Sequence, residues 1–158
     1  MKSKKTRVAI FCSILLWVTG ASQALATQVE YFSSKRNIDN NYPFSNAVRV
    51  GDLLFLSGEL GTLPNSSKLI AGGIKNETKQ AMENIQASLA KHNLTMNDIV
   101  KCTAMLADIK EWPIFNEVYK GYFTKHFPAR SAFATNGLGL NARLELECIA
   151  AFSSDTNP

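Results

Sequence analysis

Two stretches of this chain combine residue types that could do chemistry: Phe127-Pro128-Ala129-Arg130-Ser131, and the alternating run Leu144-Glu145-Leu146-Glu147. Arg130 opens a predicted strand. Its guanidinium is a planar fork that matches a carboxylate through two parallel hydrogen bonds. The later run reads as another strand, along which side chains alternate sides. Leu144, Leu146 and Cys148 then share one face, and Glu145 and Glu147 share the other. A carboxylate in that position can hold or activate a water. Together these residues outline a site for a small carboxylate-bearing molecule.

The elements that must position them follow from periodicity and turn chemistry. Thr27 to Asn41 is polar and expected to be partly extended. Ala47–Val50 and Leu53–Leu60 read as a hairpin turning at Gly51-Asp52. Gly61 to Gly73 is a loop, with Pro64-Asn65-Ser66-Ser67 as its turn cluster. From about Asn76 to His92, Ala81, Met82, Ile85 and Leu89 recur at three- and four-residue spacing, which predicts a helix with one apolar stripe. Ile99–Leu106 is a predicted strand with Val100, Cys102, Ala104 and Leu106 on one face. A second helix is predicted from about Ile109 to Lys125, with Pro113 in its first turn and a stripe of Phe115, Val118, Tyr119 and Tyr122. Arg130–Thr135 and Arg143–Phe152 are the closing strands, joined through Gly137-Leu138-Gly139. The order ββ-α-β-α-ββ predicts an α+β domain, one sheet with both helices on one face. The other face, carrying Glu145 and Glu147, would be bare in a monomer, so an oligomer is expected to cover it.

Residues 1–26 stand apart. Lys2, Lys4, Lys5 and Arg7 precede a largely apolar run, Val8 to Val18, and Ala24-Leu25-Ala26 is a small-x-small cleavage site. The pattern is that of a secretory signal peptide. The apolar run falls short of the ~20 residues that a membrane span requires. Cleavage after Ala26 would leave one domain, residues 27–158, in the periplasm or secreted, with no membrane attachment. The segment removes four of the 17 Lys and Arg and none of the 13 Asp and Glu, leaving thirteen of each sign. A formally neutral domain lacks the electrostatic case for nucleic acid, which requires a basic patch.

Cys102 and Cys148 remain after cleavage, in a compartment that permits disulfides. Both fall on apolar phases of predicted strands, and two buried thiols acting as small hydrophobes is the favoured reading. A bridge is the alternative and requires a Cα separation that a sequence does not supply. His92 and His126 are far apart near predicted helix ends, and with two cysteines they make no metal-ligand spacing.

Five segments in order carry a resemblance: Tyr42-Pro43-Phe44-Ser45-Asn46-Ala47-Val48, Ser57-Gly58-Glu59, Asn116-Glu117-Val118-Tyr119, Phe127-Pro128-Ala129-Arg130-Ser131 and Leu144-Glu145-Leu146-Glu147-Cys148-Ile149-Ala150. The chain resembles the Rid (YjgF-type) family, the reactive-intermediate deaminases, over about Tyr42 to Phe152. The resemblance implies a chorismate-mutase-like α+β fold, a homotrimer with sites between subunits, and hydrolysis of 2-imino acids and their enamine tautomers to 2-oxo acids and ammonia. It implies no metal and no organic cofactor.

By the same resemblance Arg130 grips the substrate carboxylate and Glu145 positions the attacking water. Ser57 lines the pocket, and the backbone carbonyl of Ala132 holds the imine nitrogen. Glu147, Asn116 and Tyr119 are read as structural. The chain departs from the family pattern twice. Phe44 stands where tyrosine is usual, keeping the aromatic wall of the substrate pocket and losing a hydroxyl. Tyr42 could supply one from two residues away, about 6–7 Å along an extended segment. Glu59 stands where glutamine is common, and would add negative charge that disfavours anionic substrates. An exported imine deaminase is the first functional reading. A non-catalytic, small-carboxylate-binding trimer is the second, motivated by Phe44 and the export signal. A holdase role finds no exposed apolar tract to support it in the sequence.

Overall fold

The computed structural model describes residues 27–153. The signal-peptide reading of residues 1–26 lies outside the described residues. Ten regular elements follow one another: β1 (Val29–Phe32), α1 (Lys35–Asp39), β2 (Ala47–Val50), β3 (Leu53–Leu56), β4 (Glu59–Leu60), α2 (Gly73–Ala90), β5 (Ile99–Leu106), α3 (Trp112–Tyr119), β6 (Ala129–Ala134) and β7 (Leu144–Ala151). The segment expected to be only partly extended holds both β1 and α1. Ser34 caps α1 by accepting from the Asn37 N–H, and β1 adds itself antiparallel to β2.

The strands form one mixed sheet in the order β1-β2-β3-β7-β5-β6, with β4 also paired to β7. β6 and β7, consecutive in sequence, do not pair with each other. β5 lies between them, parallel to β6 and antiparallel to β7. The parallel pair is joined by a crossover through α3, as parallel strands require. The long predicted strand Leu53–Leu60 is broken at Ser57-Gly58, and its pairing with β7 slips by one residue between Phe55–Ile149 and Glu59–Leu146.

Both main helices cover one face of the sheet, as predicted. α2 packs on β4, β7 and α3. Its stripe of Ala81, Met82, Ile85 and Leu89 is fully buried against Leu54, Leu144 and Leu146. Burial of each large member of that stripe contributes about 1.5–3 kcal/mol. α2 starts at Gly73, three residues before the periodic signal, because Gly72 and Gly73 adopt positive φ (111° and 68°) and turn the chain into the helix. The second helix is shorter than its stripe implies: α3 is flanked by single 3₁₀ turns, Ile109–Glu111 and Lys120–Tyr122. Glu77, buried on α2, accepts a 2.7 Å hydrogen bond from the Arg143 N–H, which fixes where β7 begins.

Two sequence expectations fail for local reasons. Val100 is 44 % exposed, and Ile99 is buried in its place. A β-bulge between Ile99 and Lys101 shifts the phase of β5 by one residue. Cys102 and Cys148 are not free thiols. They face each other across β5 and β7 with Cα atoms 4.1 Å apart and form a disulfide. The apolar phase of both residues was legible, but the register that makes them partners was not.

The bridge closes a separation of 46 residues, for which chain entropy gives about 4 kcal/mol of stabilisation. The double variant Cys102→Ser, Cys148→Ser is therefore expected to melt roughly 10–20 °C lower than the oxidised protein. Calorimetry of the two proteins checks this, and a drop of under 3 °C would contradict it.

Candidate functional site

Arg130 points to the helix-covered face of β6. Its register partner on β5 is Cys102, and paired positions share a face. The guanidinium carbon lies 5.5, 5.2 and 4.7 Å from the ring centres of Trp112, Phe115 and Tyr119. Three aromatic faces hold the cation by their quadrupoles and restrict its rotamers. Tyr119 was expected only to pack in the core. It is buried there, and it also forms part of this cage. Desolvation pushes its hydroxyl pKa up to about 12, with Arg130 pulling the other way, and the buried oxygen has no hydrogen-bond partner among the described residues. The cage opens into a cleft of about 420 Å³ lined by Asn116, Tyr119, Lys120, Phe127, Pro128 and Arg130. Lys120 gives this cleft a second cation, which the sequence did not single out. Ala132 lies two residues further along the same face, half-buried, on a strand paired by β5 alone. Alternate backbone groups of such an edge strand are left without a ladder partner.

Phe44, Ser57 and Glu145 gather elsewhere. Buried Asn37 organises the segment before β2: its carbonyl accepts from the Tyr42 N–H at 2.9 Å, and its side-chain amide donates to the Phe44 carbonyl at 3.3 Å. The Tyr42 and Phe44 rings stack, with centroids 5.7 Å apart and planes 13° apart. The phenol that the sequence placed two residues from Phe44 is thus on the same wall. Ser57 donates its hydroxyl proton to the Ser45 carbonyl at 2.6 Å, so towards a ligand it can only accept. These residues line a second cleft, of about 310 Å³.

Glu145 abuts this region through Gly58. A Cβ at position 58 would lie 2.0 Å from Glu145 Oε1, so only glycine allows the carboxylate its place. Burial raises the Glu145 pKa, and neighbouring Glu147 raises it further. Glu59 does not behave as expected. After the slip at Ser57-Gly58 it pairs with Leu146 and turns toward α2, where Ser88 Oγ donates to its Oε1 at 3.3 Å. Burial raises its pKa, partly offset by Ser88 and Lys91.

Arg130 and Glu145 therefore belong to opposite faces of one sheet. Glu145 pairs with Met105 on β5, and Arg130 with Cys102, so the two are also two strands and three residues apart. That is about 10 Å across the sheet and about 10 Å along it. Within one chain they cannot contact the same small molecule. Among the described residues, no group of three or more His, Cys, Asp or Glu side chains could hold a metal, and no helix is long and apolar enough to cross a membrane.

A single mixed sheet with helices on one face, and a cleft on each side that holds some of the candidate residues, defines an α+β protein. Residues 34–152 match the family described as Endoribonuclease L-PSP. The chain belongs to this family, the Rid (YjgF-type) family of its motifs. It is 39 % identical over 108 residues to the human 2-iminobutanoate/2-iminopropanoate deaminase, an alignment covering 68 % of this chain and 79 % of that protein. The Bos taurus deaminase of the same name is 42 % identical over 108 residues, with the same coverage. Among solved structures, E. coli TdcF with bound serine superposes with a TM-score of 0.66 at 30 % identity, covering 70 % of this chain and 89 % of TdcF.

Proposed function

We propose that the protein hydrolyses 2-imino acids and their enamine tautomers to 2-oxo acids and ammonia, at sites formed between the subunits of a homotrimer. The observation that carries this reading is the separation of Arg130 and Glu145 onto opposite sheet faces, which one neighbouring copy would bring together. The names of the human and bovine relatives support the chemistry.

In this mechanism Arg130 of one subunit binds the substrate carboxylate as a fork, pre-oriented by its aromatic cage. The Ala132 carbonyl and the Ser57 oxygen accept from the iminium N–H groups, and Phe44 and Tyr42 wall the substrate side chain. Glu145 takes a proton from water as the water oxygen bonds to the iminium carbon. The resulting aminoalcohol receives that proton on nitrogen, its hydroxyl proton passes to Glu145 as the C–N bond breaks, the departing ammonia carries this second proton away as ammonium, and the 2-oxo acid remains. A carboxyl whose pKa is raised is suited to accept a proton and return it within one turnover. The reaction requires only water.

Export to the periplasm or beyond is part of the proposal. The N-terminal pattern supports it, as does the Cys102–Cys148 bridge, since disulfides persist in oxidising compartments. The balance of thirteen basic and thirteen acidic residues in 27–158 argues against the nucleic-acid substrate that the family description suggests.

The test uses residues 27–158, an amino-acid oxidase to generate imines in place, and semicarbazide to trap what remains. The protein is expected to suppress semicarbazone formation, and Tyr42→Phe to weaken this about 2- to 10-fold, the value of one neutral hydrogen bond. Tight binding of 2-oxo acids with no imine turnover would instead establish a carboxylate-binding trimer. Serine bound in TdcF makes that the reading to fall back on.

A further inference from the structure

The cleft that holds Phe44 and Ser57 also contains a cation that the proposed chemistry does not use. Arg36, half-buried on α1, lines it beside Phe44. Its Nη1 donates to the Ser66 carbonyl at 2.7 Å, and its Nη2 donates to Ser67 Oγ. The loop so held is itself ordered, with Leu63 N–H donating to the Lys68 carbonyl at 2.9 Å and Ile70 N–H to the Gly61 carbonyl at 2.9 Å. The guanidinium is therefore fixed in position.

No carboxylate within ion-pairing distance of Arg36 occurs among the described residues. The acid that lines the same cleft, Glu59, directs its carboxylate to Ser88 on α2. A guanidinium has five N–H donors, and the loop engages only two. A half-buried cation with unused donors gains most from an anion delivered into the cleft. Within the proposed reaction the substrate's own carboxylate is already bound by Arg130 of a neighbouring subunit. An anion meeting Arg36 in the same complex would then be carried by the substrate side chain.

We propose that Arg36 recognises a second carboxylate, and that the preferred substrates are 2-imino dicarboxylates, the imines of acidic amino acids. The inference rests on the deaminase reading for its chemistry, but not for its binding. It also reverses the sequence expectation that Glu59 would repel anionic substrates, because that side chain is turned away from the ligand side of the cleft.

The decisive experiment has a kinetic arm and a binding arm. The kinetic arm compares kcat/KM for the imines of glutamate and alanine in wild type, Arg36→Ala and Ser67→Ala. Wild type is expected to favour the glutamate imine. Arg36→Ala is expected to lower the glutamate-to-alanine ratio about 10- to 100-fold, the value of a charge-assisted contact. Ser67→Ala removes a loop bond without removing charge, and is expected to leave the ratio within about 3-fold of wild type, since one neutral hydrogen bond is worth little more. Equal loss in both variants would mean that Arg36 only pins the loop, and would overturn the proposal. The binding arm measures 2-oxoglutarate and 2-oxobutanoate by calorimetry, with a preference for 2-oxoglutarate expected that Arg36→Ala abolishes. Turnover of the alanine imine with no preference for the dicarboxylate in either arm would overturn the Arg36 assignment and leave the deaminase reading standing. Arg36-dependent preference for 2-oxoglutarate without turnover of any imine would do the reverse.

Discussion

Replacing Arg130 with alanine is expected to lower kcat/KM for the proposed imine hydrolysis by about 10²–10³, mostly through KM, while the protein stays folded. The size follows from what the side chain does. A bidentate guanidinium–carboxylate pair comprises two charge-assisted hydrogen bonds of about 1.5–3 kcal/mol each. No other side chain on β6 can replace it: Ser131 and Phe133 belong to the opposite face, and Ala132 offers only backbone. Lys120 lines the same cleft, but as a point charge without the planar fork. Arg130→Lys is accordingly expected to recover only a minor part of the loss. The stability cost is small by comparison. Contacts between Arg130 and the rings of Trp112, Phe115 and Tyr119 are partly exposed cation–π interactions, worth about 0.5–1 kcal/mol at such sites. Steady-state kinetics and a thermal melt on the same preparation separate the two effects. Unchanged kcat/KM in folded Arg130→Ala would remove the arginine from the site.

What the sequence could and could not tell about this site divides along one line. Features that depend on local period were legible. The alternation over Leu144–Ala151 placed Glu145 and Glu147 on the open face, and the stripe from Ala81 to Leu89 gave the helix that buries the other. Features that depend on which strands become neighbours were not. Cys102 and Cys148 are bonded because β7 inserts between β3 and β5, a choice made by the whole sheet. The direction of Glu59 follows from a one-residue slip at Ser57-Gly58, and the exposure of Val100 from a bulge in β5. A single extra residue moves a side chain to the other face, so a pattern that is right for a whole strand can still be wrong at its end. The family motifs supplied Arg130, Glu145, Phe44, Ser57 and Ala132 as candidates. They were silent on Lys120, on the aromatic cage of Arg130 and on Arg36, whose cleft is assembled from segments distant in sequence. One signal was available for Gly58. A glycine between a pocket serine and a strand is a position where another group approaches the backbone closely, and here that group is the Glu145 carboxylate.

Under the proposed inter-subunit site of a homotrimer, mixing two inactive variants is expected to restore activity. Arg130→Ala keeps Glu145, Glu145→Gln keeps Arg130, and each homotrimer alone is expected to be nearly silent. If every site takes Arg130 from one subunit and Glu145 from the next, random co-assembly in equal amounts gives each site about a one-in-four chance of receiving both intact residues. Each mixed trimer then holds one intact site in three, so the isolated mixed assemblies are expected to recover about a third of wild-type activity per site, from proteins that have none separately. The expectation follows from the proposed site, because the two side chains leave opposite faces of one sheet. Complementation requires exchange, so the variants are co-expressed with different tags and the doubly tagged assemblies isolated before assay. Catalysis within one chain would leave every mixed trimer as silent as its parents. A recovery near zero, with mixed assemblies demonstrably present, would therefore refute the inter-subunit site. Recovery in proportion to the fraction of mixed interfaces would establish that the open acidic face of one copy works against the caged arginine of its neighbour.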